Sequence, residues 1–184
     1  YINGDAIVAL DGFNNSVTGN YVLTEGGFGS DENSAFFSIP GVTIEKNEVT
    51  TGPYEGGDDV TFELVMTVPS GDANNVILTD IIPSNIFDLN ALNLTFGGPD
   101  IMFAPTSDYM SFTPTVALSG TNLSLEFGDI SSNSNTTQTL SILLTLPVLD
   151  DVSLVGNQTN LLFASNQDSN GFTFQQSTTE VFTL

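Results

Sequence analysis

Hydrophobic and polar residues alternate in several short stretches of the chain, which is the period-two pattern of strands with one buried face. The clearest run spans 60–68, where every second residue is apolar. Similar runs lie at 122–127 and 140–146. Together these runs predict three buried strand faces, formed by Val60, Phe62, Leu64, Met66 and Val68, by Leu123, Leu125 and Phe127, and by Leu140, Ile142, Leu144 and Leu146.

Further strands are predicted between Gly- and Pro-containing turns. The segments are VTIEK, NNVILTD, Leu92–Phe96, VSLV, TNLLFAS, GFTFQQ and TTEVFTL, with weaker candidates at Ile101–Phe103, Tyr109–Phe112 and Thr115–Leu118. No stretch shows sustained helical periodicity with caps. Many short strands separated by turns are typical of an all-β, immunoglobulin-like antiparallel β-sandwich, which we place at residues 41–184.

Residues 1–40 are predicted to be an N-terminal β extension, a candidate donor strand or the end of a preceding module, and its strands have two interpretations. GDAIVAL, YVLT and AFFSIP resemble short strands, whereas DGFNNSVTGN and EGGFGSDENS are rich in turn residues. In the favoured interpretation these strands join the same sandwich. In the other, an apolar strand such as Asp5–Leu10 leaves its own domain and completes the sheet of a neighbouring copy.

Composition narrows the classes of function. The 184 residues contain one Lys or Arg against 22 Asp and Glu, for a net charge of -21. This balance argues against nucleic acid and anionic lipid as partners, because phosphates need cations opposite them. His and Cys are absent, so catalytic triads, thiolate metal sites and disulfides are not supported.

The same sequence favours an extracellular protein. No apolar run has the length of a membrane span, which argues against membrane insertion. The chain begins at Tyr1 without a visible signal peptide, and we expect a processed product or an excised segment. A strongly acidic folded domain suits a medium rich in salt or calcium, whose cations relieve self-repulsion.

Lys46, the single cation, lies in an unexpected position. It shares its parity with Val42 and Ile44 in the predicted strand VTIEK, and equal parity in a strand means the same face. If the two apolar residues point into a core, the lysine points in with them. A buried ammonium is costly unless it is paired, neutralised or consumed chemically.

A series of motifs, in order over 41–184, carries a family resemblance. GVTIEK, GGDDVTFELVMTVP, NNVILTDIIPS, FGDI, TLSILLTLPV and GNQTNLLFAS together resemble the repeat domains of bacterial surface proteins. These include isopeptide-forming fimbrial subunits and collagen-adhesin-type modules. The resemblance implies a sandwich fold and a structural role.

The resemblance also implies a cross-linking site. In the isopeptide-forming members, a strand lysine attacks an asparagine amide on a late strand, and a buried carboxylate promotes the reaction. Matched motif by motif, these roles fall on Lys46, on Asn160 and on Asp80 of the LTD-x-x-P motif. An ordinary structural role, without cross-linking, stays open as the alternative for each residue. Lys46 pairs with a surface glutamate, Asp80 caps a turn, and Asn160 satisfies backbone groups.

Calcium is the one cofactor that the sequence suggests. Acidic clusters in predicted turns offer the oxygen ligands that calcium prefers, although none matches a twelve-residue calcium loop. The candidate ligands are Asp58, Asp59, Asp150 and Asp151, with weaker clusters at Asp31-Glu32 and at the turn beginning with Asp168.

The N-x-[ST] pattern predicts sites of N-glycosylation. It occurs five times, and a chain rich in Asn, Ser and Thr also generates it by chance. The acceptor residues would be Asn14, Asn93, Asn122, Asn135 and Asn157.

The sequence therefore predicts a structural, non-enzymatic subunit or repeat of an extracellular filament, pilus or adhesin stalk. It would be stabilised by a Lys-Asn isopeptide bond and would associate with copies of itself. The alternative is a calcium-dependent carbohydrate- or ligand-binding module, which would show exposed aromatic residues such as Tyr21, Tyr54 or Tyr109 on a flat sheet face.

Overall fold

The computed structural model describes residues 12–23, 25–38, 40–69, 73–96, 114–130, 137–151, 156–168 and 170–184. Eleven strands lie in these ranges, and the described residues form no helix. The strands are β1 (Gly12–Val22), β2 (Phe28–Ser38), β3 (Thr43–Glu48), β4 (Asp59–Val68), β5 (Ala73–Ile81), β6 (Asn93–Phe96), β7 (Thr115–Ser119), β8 (Asn122–Ile130), β9 (Gln138–Pro147), β10 (Asn157–Gln167) and β11 (Thr173–Thr183).

Two antiparallel sheets form the sandwich. One has five strands in the order β11-β10-β5-β8-β7, and the other has four in the order β3-β4-β9-β6. The alternating residues of β4, β8 and β9 that the sequence assigned to buried faces are all buried. The prediction of an antiparallel β-sandwich is confirmed.

The core lies between the two sheets and receives side chains from both of them. An aromatic cluster occupies one part of it. The ring of Phe62, from β4, meets the rings of Phe87 and Phe182 edge-on, with centroids 6.4 and 5.6 Å away. Phe182, on β11, is 5.3 Å from Phe87. These contacts hold the end of β11 against the four-stranded sheet.

The N-terminal strands form a separate β-hairpin. β1 and β2 pair with each other over their whole length, from Gly12 opposite Ser38 to Val22 opposite Phe28, and neither strand pairs with a described strand of the sandwich. The interpretation that residues 1–40 join the sandwich is therefore wrong for 12–38. Asp5–Leu10, VSLV and the weak candidates at Ile101–Phe103 and Tyr109–Phe112 lie outside the described residues.

Two of the predicted turn regions are strands. DGFNNSVTGN supplies most of β1 and EGGFGSDENS supplies part of β2. Between the strands, the Leu23 amide donates a hydrogen bond to the Gly27 carbonyl, and Gly26 has a φ of 84°. Pairing along eleven residues outweighs the low strand propensity of Gly and Asn. Similarly, GFTFQQ and TTEVFTL join in one strand, β11.

Candidate functional site: a lysine, an aspartate and an asparagine in the core

Lys46 lies in the core. On β3 it is directly opposite Leu64 of β4, and it shares the inward face with Val42, as the parity predicts. Its side chain has an exposed fraction of 0%. The ammonium Nζ lies 4.6 Å from the centre of the Phe62 ring, which is within the range of a cation–π interaction.

Asp80 approaches Lys46 from the other sheet. On β5 it lies on the same face as Val76 and Leu78, and all three residues are buried. Lys46 Nζ donates a hydrogen bond to Asp80 Oδ2 at 2.6 Å. Since the two residues belong to opposite sheets, this ion pair crosses the sandwich.

Burial governs the charge of this pair. It lowers the pKa of Lys46 below its usual 10.5, against the opposing effects of the Asp80 charge and hydrogen bond and of the more distant Glu180 charge. It likewise raises the pKa of Asp80 above its usual 3.8, against the Lys46 charge and hydrogen bond. Both shifts favour the neutral amine and the neutral carboxylic acid.

Asn160 lies next to this pair. It is 0% exposed and shares the inward face of β10 with Leu162 and Ala164. Leu162 is directly opposite Asp80 on β5, so Asn160 is the diagonal neighbour of Asp80. Diagonal neighbours on one face lie roughly 7–8 Å apart, within reach of longer side chains. Of the three matched residues, Asn160 had the least certain face in the sequence, and the structure turns it inward.

Several polar atoms at this site have no hydrogen-bond partner. Among the described residues, Asn160 Nδ2, Asn160 Oδ1 and Asp80 Oδ1 are buried and unpaired. An unsatisfied buried polar atom costs about 1–3 kcal/mol. Native structures contain few of them, so a cluster of three at one place needs an explanation.

The alternative roles of Lys46 as a surface ion pair and of Asp80 as a turn cap are wrong. Lys46 does not extend outward to Glu45 or Glu48, because its side chain is buried against Asp80. Asp80 is buried within β5 and contacts the lysine, so it does not act as an exposed turn cap. The side chain of Asn160 satisfies no backbone group in the described part of the chain.

The predicted calcium ligands lie near one another at one end of the sandwich. Asp59 is opposite Pro147 in the β4–β9 pair, and the Val148 amide donates to the Asp58 carbonyl at 2.8 Å. The Asp58 carboxylate accepts from the Glu55 amide. Among the described residues, however, no group of three or more potential ligand side chains could hold a metal ion. Calcium binding stays a prediction.

Four of the five predicted glycosylation sites are exposed on strands, at Asn14, Asn93, Asn122 and Asn157. Asn135 lies outside the described residues. Glycosylation requires an exposed acceptor, but exposure alone does not show that a residue is modified. Glycosylation therefore also stays a prediction.

The aromatic surface that carbohydrate binding would need is not assembled from the described tyrosines. Tyr54 is 7% exposed, and its hydroxyl donates to Glu48 Oε1 at 2.5 Å. Burial, followed by the hydrogen bond to Glu48, raises the pKa of Tyr54 to about 12. Tyr21 is exposed on the separate hairpin, and Tyr109 lies outside the described residues.

In the described residues no helix is long and apolar enough to cross a bilayer.

Comparison with solved structures shows that the chain shares the β-sandwich fold of pilus subunits. The sequence itself matches no protein-family model and no curated protein.

Three solved structures illustrate the likeness. BcpA, the major pilin subunit of Bacillus cereus, superposes with a TM-score of 0.58 at 9% identity, covering 91% of this chain and 47% of that one. The pilus protein RrgB of Streptococcus pneumoniae gives 0.51 at 14% identity, over 75% of this chain and 24% of that one. ACE19, the collagen-binding subdomain of an Enterococcus faecalis surface protein, gives 0.47 at 9% identity, over 77% and 96%. The chain thus spans about half the length of BcpA.

Proposed function

We propose that this chain is a structural module of an extracellular filament, pilus or adhesin stalk, and that an isopeptide bond between Lys46 and Asn160 staples its core. One observation carries the proposal. The single lysine of the chain is buried in a 2.6 Å contact with Asp80, beside a buried Asn160 whose amide has no described partner. The fold shared with pilus subunits supports the structural role.

The reaction balances without an external reagent. Lys46 passes one proton to Asp80, which leaves a neutral amine as the nucleophile. Nζ attacks Cγ of Asn160 while protonated Asp80 donates a hydrogen bond to the amide oxygen. A second proton then moves through Asp80 from Nζ to Nδ2, the Cγ–Nδ2 bond breaks, and ammonia leaves. The third proton stays on the new amide nitrogen.

The product removes the unfavourable features of the site. An uncharged secondary amide replaces a buried ammonium and a primary amide with two unpaired atoms. The bond also closes a loop of more than a hundred residues and joins the two sheets. By analogy with a disulfide that closes a loop of this length, it would stabilise the fold by about 4–5 kcal/mol.

Intact-mass measurement tests the cross-link. We expect the folded chain to be lighter than its sequence mass by one ammonia. Asp80→Asn and Asn160→Ala should each have the full mass of their own sequence, with no ammonia lost. The first variant lacks the proton shuttle, and the second lacks the electrophile. A wild-type chain of full sequence mass would contradict the proposal.

We further propose that copies of the chain associate through the β1–β2 hairpin. Most of its described side chains are exposed, including Val17 at 69%, Phe28 at 87% and Phe36 at 73%. An isolated two-stranded hairpin is marginally stable in water, and the free edge of a strand is a template for further pairing. β1 contains no charged residue, so it is a surface where two acidic copies meet with little repulsion.

A further inference from the structure

Glu180 lies beside the proposed cross-link without being one of its three residues. In the β10–β11 pair it is directly opposite Asn160. Directly opposite residues of antiparallel strands share a face, with Cβ atoms roughly 4.5–5.5 Å apart. The side chain of Glu180 is half-buried. It therefore lies at the border between the buried site and solvent.

Glu180 also contacts the strand that carries the lysine. The backbone amide of Glu48, at the end of β3, donates a hydrogen bond to Glu180 Oε1 at 3.3 Å. β3 and β11 are edge strands of different sheets. This contact joins those edges two residues from Lys46.

The charge of Glu180 acts on the same lysine. The groups that face Lys46 are the Asp80 carboxylate from β5, the Phe62 ring from β4 and Glu180 from β11. The carboxylate of Glu48, on the same strand as Lys46, accepts from the Tyr54 hydroxyl and the Gly52 amide. A negative Glu180 favours the ammonium form of Lys46, raising its pKa in opposition to burial. The amine must lose this proton before it can attack.

We propose that Glu180 is a positioning residue of the cross-linking reaction, with two separable effects. Its oxygen clamps the Lys46 strand to β11 through the Glu48 amide. Its negative charge restrains the reaction by holding Lys46 as an ammonium. This inference rests on the proposed cross-link and adds a residue that lies outside the lysine, aspartate and asparagine set.

Two substitutions separate these effects. Glu180→Gln removes the charge and keeps an oxygen that accepts from the Glu48 amide, whereas Glu180→Ala removes both. Glu45→Gln is the matched control, because Glu45 is an exposed acid on the same strand as Lys46 but on its outer face. Each chain is made in a short pulse of cell-free synthesis. Loss of ammonia is then followed by intact mass over time, from about pH 5 to about pH 9.

We expect Glu180→Gln to cross-link several-fold faster than the wild type, because without the Glu180 charge the transfer of the Lys46 proton to Asp80 is more favourable and a larger fraction of the amine is neutral. Glu180→Ala should be about tenfold slower than Glu180→Gln at each pH, since misplacing a nucleophile by a fraction of an ångström is costly. Glu45→Gln should follow the wild type.

The outcomes separate the two proposals. Coinciding pH profiles for wild type and Glu180→Gln would overturn the charge effect, and equal rates for Glu180→Gln and Glu180→Ala would overturn the clamp. A wild-type chain that never loses ammonia would overturn the cross-link itself, and the inference about Glu180 with it.

Discussion

At the scale of single residues, the central feature is the burial of Lys46 together with Asp80. A buried ion pair is seldom a good source of stability, because desolvation of both charges offsets their attraction. Here burial favours the neutral forms of Lys46 and Asp80 alike. Burial disfavours the ammonium form of Lys46, and the unpaired amide of Asn160 lies nearby. Such an environment favours reaction of the neutral amine with that amide.

Substituting the lysine isolates the titration of Asp80. In Lys46→Met no cross-link forms, and Asp80 loses the partner that lowers its pKa, so burial alone raises it above 3.8. Because the folded state then binds the proton more tightly, Asp80 contributes stability at acidic pH that is lost as pH rises from about 3.8 through the raised value. Urea unfolding over this range measures the effect.

The control for this experiment is Lys46→Met combined with Asp80→Asn, which has the same apolar residue and no carboxyl group at position 80. As pH rises, the unfolding free energy of Lys46→Met should fall relative to that of the double variant, which has no carboxyl group at position 80. Parallel profiles would show that Asp80 titrates at its ordinary pKa.

The sequence predicts part of this site and misses the rest for physical reasons. Lys46 and Asp80 share parity with plainly apolar neighbours, so their inward direction is predictable. Asn160 is followed by Leu161, Leu162 and Phe163, which are apolar on both faces, so parity gives no direction. Glu180 carries no sequence signal, because its place opposite Asn160 depends on the register of β10 and β11.

At the scale of elements, strands with a buried face are predictable and the hairpin is not. β4, β8 and β9 alternate because one face of each lies in the core. β1 and β2 bury neither face in the described structure, so no hydrophobic pattern marks them. Their pairing depends on each other and on the turn at Gly26, which single-segment propensities do not represent.

The hairpin yields a prediction about association. Val17→Glu places a charge in the middle of the uncharged strand β1, where it should repel a second acidic copy and weaken association several-fold. Val116→Glu is the matched control, because it adds the same charge to an exposed valine of β7. Sedimentation at increasing protein concentration measures the monomer fraction of each chain.

Two results would count against hairpin association. One is a wild-type chain that stays monomeric at every concentration. The other is an equal loss of association in both variants, which would indicate that general charge repulsion, rather than the hairpin, governs the contact.

At the scale of the whole molecule, the proposed isopeptide bond would lie inside a strongly acidic domain of net charge -21. The chain has no cysteine, so a disulfide is not available to it. An amide between two sheets provides the same kind of restraint and does not depend on redox conditions. Such a bond would suit a module that bears tension in an extracellular fibre.

The sequence also provides a direct test of the central claim. Lys46 is the only Lys or Arg in the chain, so trypsin has a single cleavage site, and it does not cleave after a lysine whose side chain is acylated. After full denaturation, the wild-type chain should resist trypsin and keep a mass lower by one ammonia. Asn160→Ala, treated identically, should give two fragments, 1–46 and 47–184. The same two fragments from the wild type would show a free Lys46 and contradict the isopeptide bond.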